Sequence, residues 1–153
     1  MGGNEVSAGA TDPARSLLLL DTHVVLWSTL EETRLGRRAT KAINLASREN
    51  RLAISAITPW EIGLLASKNR INLHKDVLDW TREALAKPGV ILVPLEPEIA
   101  VASTRLPFDM HSDPADRMLV ATARHLGATL VTADRALLAL SKKGHFWAMD
   151  AGR

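Results

Sequence analysis

Short, wholly apolar runs alternate along this chain with longer stretches in which apolar residues recur every three or four positions. The run over 16–20 reads as a buried strand, because four consecutive leucines leave no polar face. Residues 22–30 and 37–49 read as helices; in the second, Ala39, Ala42, Ile43 and Ala46 share one face, and Gly36 marks the break before it. Residues 52–55 form a second strand. Thr58-Pro59 opens a helix through 68, and another helix over 75–86 is closed by Pro88-Gly89. A third strand over 90–93 leads to a helix over 97–104 and a polar segment over 108–113. Pro114 starts a helix to 125, Gly127 caps it, and 128–132 is a fourth strand. A short helix over 135–140 and an edge strand over 145–149 complete the pattern.

Strands that alternate with helices of this length predict βαβ units, and with them a parallel sheet covered on both faces. The expected architecture is α/β: one domain over 17–153, with a central parallel sheet of four to five strands flanked by helices. Residues up to 16 are rich in Gly, Ala, Ser and Asn and read as a frayed leader. No aliphatic run approaches the roughly 20 residues of a membrane span, and the first fourteen residues carry no Lys or Arg as a signal peptide would. The chain has no cysteine, which excludes disulfides, thiolate metal sites and cysteine nucleophiles, and fits a cytoplasmic location. Its pI near 9.3 rests on a net charge of only +2 in a chain without Tyr or Cys, so it says little about a nucleic-acid partner.

The acids change the picture. In open parallel sheets, ligands bind beyond the carboxyl ends of the strands. Asp21 follows the first strand directly, and Asp134 lies two residues past the fourth. Glu61 and Asp116 each stand one turn into a helix, in Thr58-Pro59-Trp60-Glu61 and Asp113-Pro114-Ala115-Asp116. Taken singly, each acid has an ordinary explanation as a helix cap, and the two tetrapeptides have the layout of capping boxes. Taken together, they converge on one edge of the sheet, provided the segment over 106–112 carries Asp116 back to it. Carboxylates so gathered repel one another, and a bound divalent cation relieves that repulsion. Oxygen ligands without cysteine point to Mg²⁺, with Mn²⁺ as the alternative.

At these residues the chain resembles the PIN-domain ribonucleases, and within them the VapC-type toxins of bacterial toxin–antitoxin pairs. The matching segments are Leu-Leu-Leu-Asp-Thr-His-Val-Val-Leu-Trp ending at Trp27, Ser-Ala-Ile-Thr-Pro-Trp-Glu-Ile ending at Ile62, His-Ser-Asp-Pro-Ala-Asp-Arg-Met-Leu-Val-Ala-Thr-Ala ending at Ala123, and Leu-Val-Thr-Ala-Asp-Arg ending at Arg135. The resemblance implies that Asp21, Glu61, Asp116 and Asp134 are the catalytic, metal-holding acids, with Asp113 as a supplementary metal acid. It implies an Mg²⁺-dependent endoribonuclease that forms a homodimer and binds a cognate antitoxin. Ala115 departs from the bulkier residue usual in the Asp-Pro-x-Asp-Arg box, and the leader is longer than typical; neither touches the acids.

The remaining chemistry-bearing residues divide as follows. Thr132 and Ser55 lie near enough in sequence to hydrogen-bond the acids, or to serve as plain strand ends. His111 pairs with Asp113 but lacks a third zinc ligand, and His23 is expected to pack locally. Trp27, Trp60, Trp80 and Trp147 are expected in or near the core. Arg117 and Arg135 follow acids directly and are placed to meet phosphate or to pair with those acids. Val25, Leu26, Ile62 and Leu65 offer a groove for an antitoxin peptide, whose Arg or Lys would take the cation's place among the carboxylates. A glycine-rich phosphate loop and a phosphatase Asp-x-Asp are both absent, and no Asp ends the third strand as a receiver domain requires. The competing function is a catalytically silent PIN-like module that holds RNA or protein, against which stand four intact acids.

Overall fold

The structure, a computed structural model, describes residues 16–153. The leader expected over 1–16 lies outside them apart from Ser16, which is buried at the start of the sheet with its hydroxyl 3.3 Å from Thr129 Oγ1. Five strands, β1 (Leu18–Leu20), β2 (Leu52–Ser55), β3 (Val90–Val93), β4 (Thr129–Thr132) and β5 (Trp147–Asp150), form one sheet in the order β3-β2-β1-β4-β5. Every pairing is parallel. Seven helices cover it among the described residues: α1 (Thr22–Leu30), α2 (Arg37–Arg48), α3 (Ile57–Ser67), α4 (Val77–Leu85), α5 (Pro97–Thr104), α6 (Pro114–Leu126) and α7 (Arg135–Lys142). A 3₁₀ turn, Glu32–Arg34, links α1 to α2.

The leucine run shows why the sheet needs cover on both sides. Leu18 and Leu20 point into one core with Val24, Ile54 and Trp80, while Leu19 points into the other with Leu119, Leu130 and Leu137. Alternation along a strand sends neighbours to opposite faces, so a strand apolar throughout is stable only between two helical layers. Local signals set the element ends. Asp76 and Asp113 cap α4 and α6 by accepting backbone N–H bonds, and Gly127 ends α6 in the left-handed region at φ 62°. Gly36 is required for a different reason: a Cβ there would stand 2.2 Å from the Arg153 backbone, whose carbonyl accepts the Ala39 N–H of α2.

Three expectations fail at this level. Helix α3 begins at Ile57 rather than Thr58, because the Ser55 hydroxyl accepts the Ile57 N–H at 3.1 Å and turns the chain one step earlier. Thr58 is therefore no cap; it is buried, with its hydroxyl 3.0 Å from Thr22 Oγ1. Val25 and Ile62 are core residues at 3% and 1% exposure and offer a peptide no surface, whereas Leu26 and half-buried Leu65 do line a groove beside the acids. Trp80 is buried and Trp27 half-buried, but Trp60 is 51% exposed and Trp147 is 38% exposed.

The strand order places the site. The chain winds outward from β1 to β3, then returns to lay β4 on the other side of β1. The crevice opens where the winding reverses, at the carboxyl ends of β1 and β4.

Candidate active site

Asp21 leaves β1 at that crevice and Asp134 leaves β4 beside it. Both are N-terminal to helices, yet only Asp134 acts as a cap, accepting the Leu137 N–H at 3.1 Å. Asp21 makes no such bond. Its carboxylate instead accepts the Thr132 hydroxyl at 2.7 Å, and the same hydroxyl accepts the Asp134 N–H at 3.0 Å. One buried threonine thus ties the ends of both strands to one another. Thr132 meets an acid as one of its two readings allowed; Ser55 does not, since its hydroxyl turns α3.

Glu61 projects from α3 and Asp116 from α6 into the same cleft, which Asp21, His23, Trp27, Glu61, Asp113, Asp116, Ala133 and Asp134 line around about 320 Å³. All four expected acids and the supplementary Asp113 come together. Neither capping box forms: Asp113 caps α6, while Asp116 turns into the cleft. What brings Asp116 there is the segment over 106–112. Leu106, Phe108 and Met110 pack on the core, and Phe108 stacks on His145 with ring centres 4.1 Å apart. Arg117 then fastens it, donating to the carbonyls of Ser103, Met110 and His111. The guanidinium is thus committed to backbone and does not meet the acids. Arg135 pairs with Asp150 at 3.2 Å rather than with any of the four.

The electrostatics are those of a site short of positive charge. Burial raises the Asp21 carboxyl, with the Thr132 bond opposing. Burial also raises Glu61, with the Thr22 hydroxyl opposing and Asp21 and Asp113 adding to the rise. Asp116 is pushed up to about 7, first by burial and then by Asp21, Asp113, Asp134 and Glu61. Glu61 Oε1 is buried with no hydrogen-bond partner among the described residues. An orphaned carboxylate oxygen facing other carboxylates fits a divalent cation better than any internal partner.

Two histidines enter the site unexpectedly. His23 is exposed at the cleft and favours the charged forms of Asp21 and Glu61 through its nearness, rather than packing locally. His111 Nε2 lies 3.4 Å from Asp116 Oδ2, and its ring, Asp116 and Asp134 bring ligand atoms within 4.8 Å of one another. The backbone settles how that ring is used. The Asp113 N–H donates to His111 Nδ1 at 3.3 Å, so the neutral ring carries its proton on Nε2 and presents a donor, not a lone pair, to Asp116. His111 is a hydrogen-bond donor in this site, which leaves the carboxylates as the groups able to hold a cation.

The buried threonine gives a direct test. Thr132→Val keeps the shape but leaves an Asp21 oxygen and the Asp134 N–H unpaired, so it should destabilise the fold by about 1–3 kcal/mol in urea denaturation. Thr132→Ser should restore most of that loss. Equal stability of the valine variant would show that the hydroxyl does not hold the two strand ends.

Sequence comparison supports the same reading. Residues 18–143 match the PIN domain. The chain is 41% identical over 120 residues to Ribonuclease VapC22 of Mycobacterium tuberculosis, covering 78% of this chain and 88% of that protein. Among solved structures, VapBC2 from Rickettsia felis bound to a DNA fragment from their promoter superposes with a TM-score of 0.64 at 13% identity, over 87% of this chain and 97% of that one. FitAcB from Neisseria gonorrhoeae gives a TM-score of 0.56 at 17% identity, over 88% and 98%. These two likenesses show the shared fold. With a match running from β1 through α7 and four acids gathered where the strands of that fold end, the chain belongs to the PIN domain family.

Proposed function

We propose that this protein is an Mg²⁺-dependent endoribonuclease and the toxin of a type II toxin–antitoxin pair. The observation that carries the reading is the orphaned Glu61 Oε1 in a cleft it shares with Asp21, Asp116 and Asp134. The 41% identity to a ribonuclease supports it, as does the likeness of the fold to VapBC2 and FitAcB.

Asp21, Glu61, Asp116 and Asp134 would hold the cation, with Asp113 at the rim. When bound, a divalent cation polarises a scissile phosphate and makes a water nucleophilic near neutral pH. The chain's own residues prepare the cleft. Thr132 keeps Asp21 turned toward Asp134. His111 offers its Nε2–H beside Asp116, where a phosphate oxygen or the carboxylate can accept it. Arg117 holds the loop that carries both His111 and Asp113.

The cognate antitoxin is expected to silence the site with a cationic side chain among these acids. A homodimer is supported by large apolar side chains left exposed, including Trp60 and Leu64 on α3 and Ile91 and Leu92 on the edge strand β3. No described helix is long and apolar enough to cross a membrane, and a cytoplasmic site of action fits a chain without cysteine.

Purified protein incubated with mixed cellular RNA should cut it internally in Mg²⁺ or Mn²⁺ and stop when a chelator is added. RNA that stays intact in both metals, from protein that melts cooperatively, would overturn the reading.

A further inference from the structure

We infer that the groove beside the acidic cleft, walled by Trp27, Arg34, Arg70 and His74, is the track for single-stranded RNA flanking the scissile bond. The inference rests on the ribonuclease reading above. The groove lies between α1, the 3₁₀ turn and the segment after α3, and encloses about 680 Å³. That falls within the roughly 300–1,000 Å³ of pockets that seat drug-sized ligands, so it has room for nucleotides. His23 and Trp27 line both the groove and the cleft, so the two spaces adjoin.

Their charges are opposite. The cleft gathers carboxylates, whereas the groove presents Arg34, Arg70 and the imidazoles of His23 and His74 against one carboxylate, Glu31. A polyanion brought to an acidic cleft is repelled on either side of the cation. Guanidinium groups along its path offset that repulsion and fix its register. Arg34 is available for this work. Its contact with Glu31 is 3.4 Å long between two exposed side chains, a pair a phosphate can replace.

Trp27 supplies the second element of a single-strand site. It is half-buried, and the Arg34 guanidinium sits 4.6 Å from the centre of its ring. An indole held in place by the fold becomes a platform on which a base can lie without sequence preference once the Arg34 guanidinium swings from its face to a phosphate. An acidic peptide would meet the same guanidiniums but would gain nothing from the stacking surface.

The test uses the Asp116→Asn protein in Mg²⁺, a fluorescein-labelled single-stranded oligoribonucleotide, and anisotropy over a range of salt. Adding Arg34→Ala/Arg70→Ala should raise Kd about tenfold and lower the slope of log K against log salt by about 1.4, two single-strand phosphates at roughly 0.7 each. Adding Trp27→Ala instead should weaken binding with the slope unchanged. Arg37→Ala/Arg48→Ala on α2, the charge-matched control, should stay within about twofold of the parent. Melting curves confirm that each variant is folded. Unchanged affinity and slope in the Arg34/Arg70 variant would overturn the track. So would intact RNA binding with lost binding of a labelled hexaglutamate, which would assign the groove to an acidic peptide. RNA cut by the wild type separates either result from a failure of the ribonuclease reading; no cutting and no RNA binding in any variant would overturn both.

Discussion

Asp116→Asn is expected to reduce RNA cleavage by about 10³-fold or more while making the metal-free protein more stable. The two effects have one cause. Asp116 sits where burial and four other carboxylates resist its ionisation and push it up to about 7 from an ordinary 3.8. Asparagine keeps the shape and removes the charge, so the metal-free protein is relieved of the cost of burying that charge and of its repulsion, together worth about 1–2 kcal/mol after discounting for solvent near the group. No helix cap is lost, since Asp113 caps α6. Asp21→Asn should also abolish cleavage while the fold persists, because an amide oxygen can still accept the Thr132 hydroxyl. The checks are cleavage rate in Mg²⁺ and the denaturation midpoint in chelator. Full activity in both variants would remove these acids from the mechanism. A metal-free Asp116→Asn protein less stable than wild type would show that the charge is relieved in some other way.

The second expected result is a steep dependence on pH. Below about pH 4, Asp116 is protonated in both the folded and unfolded chain, so its stability contribution is intact. Between about 4 and 7 the unfolded chain gives up the proton and the folded chain keeps it. Raising pH through that window therefore lowers metal-free stability, and the loss is complete above about 7. Cation binding runs the other way, because the ion must displace the same proton. At low Mg²⁺, cleavage should rise up to about tenfold per pH unit between about pH 5.5 and pH 7 and then level off. Measuring Mg²⁺ affinity and cleavage across that range is the check, with Asp116→Asn expected to bind Mg²⁺ weakly and lose the slope. A flat wild-type profile would show that Asp116 is not the proton-bearing ligand.

Much of the site was legible because its acids obey local rules. Asp21 and Asp134 follow strands whose apolar runs announce them, and Glu61 and Asp116 each lie two residues past a proline in the first turn of a helix. Parallel pairing then brings the three strand-following positions, Asp21, Glu61 and Asp134, to one edge, and the segment over 106–112 returns Asp116 to it. Residues whose partners are set by loop geometry were not legible. His111 reaches Asp116 only because Phe108 and Arg117 hold the preceding segment against the core. Arg117, adjacent to an acid, spends its donors on carbonyls that the segment would otherwise leave unpaired. Thr58 reads as a cap in any tetrapeptide table, yet Ser55 turns the chain first. His23 follows an acid at the start of an apolar helix, but the side of α1 it occupies faces the crevice, not the sheet.

The hydroxyl of Thr132 reaches Asp21 across 111 positions of sequence, because β4 docks beside β1 only after β2 and β3 have been laid down on the other side. Such long-range parallel pairing forms late in folding, after the large loop it closes. During synthesis the chain therefore carries three of its four acids for some time with no strand to complete the cleft. An emerging or truncated chain that ends before β4 has neither Asp134 nor the clamp on Asp21. For a ribonuclease, this order of assembly delays activity until nearly the whole domain has been translated.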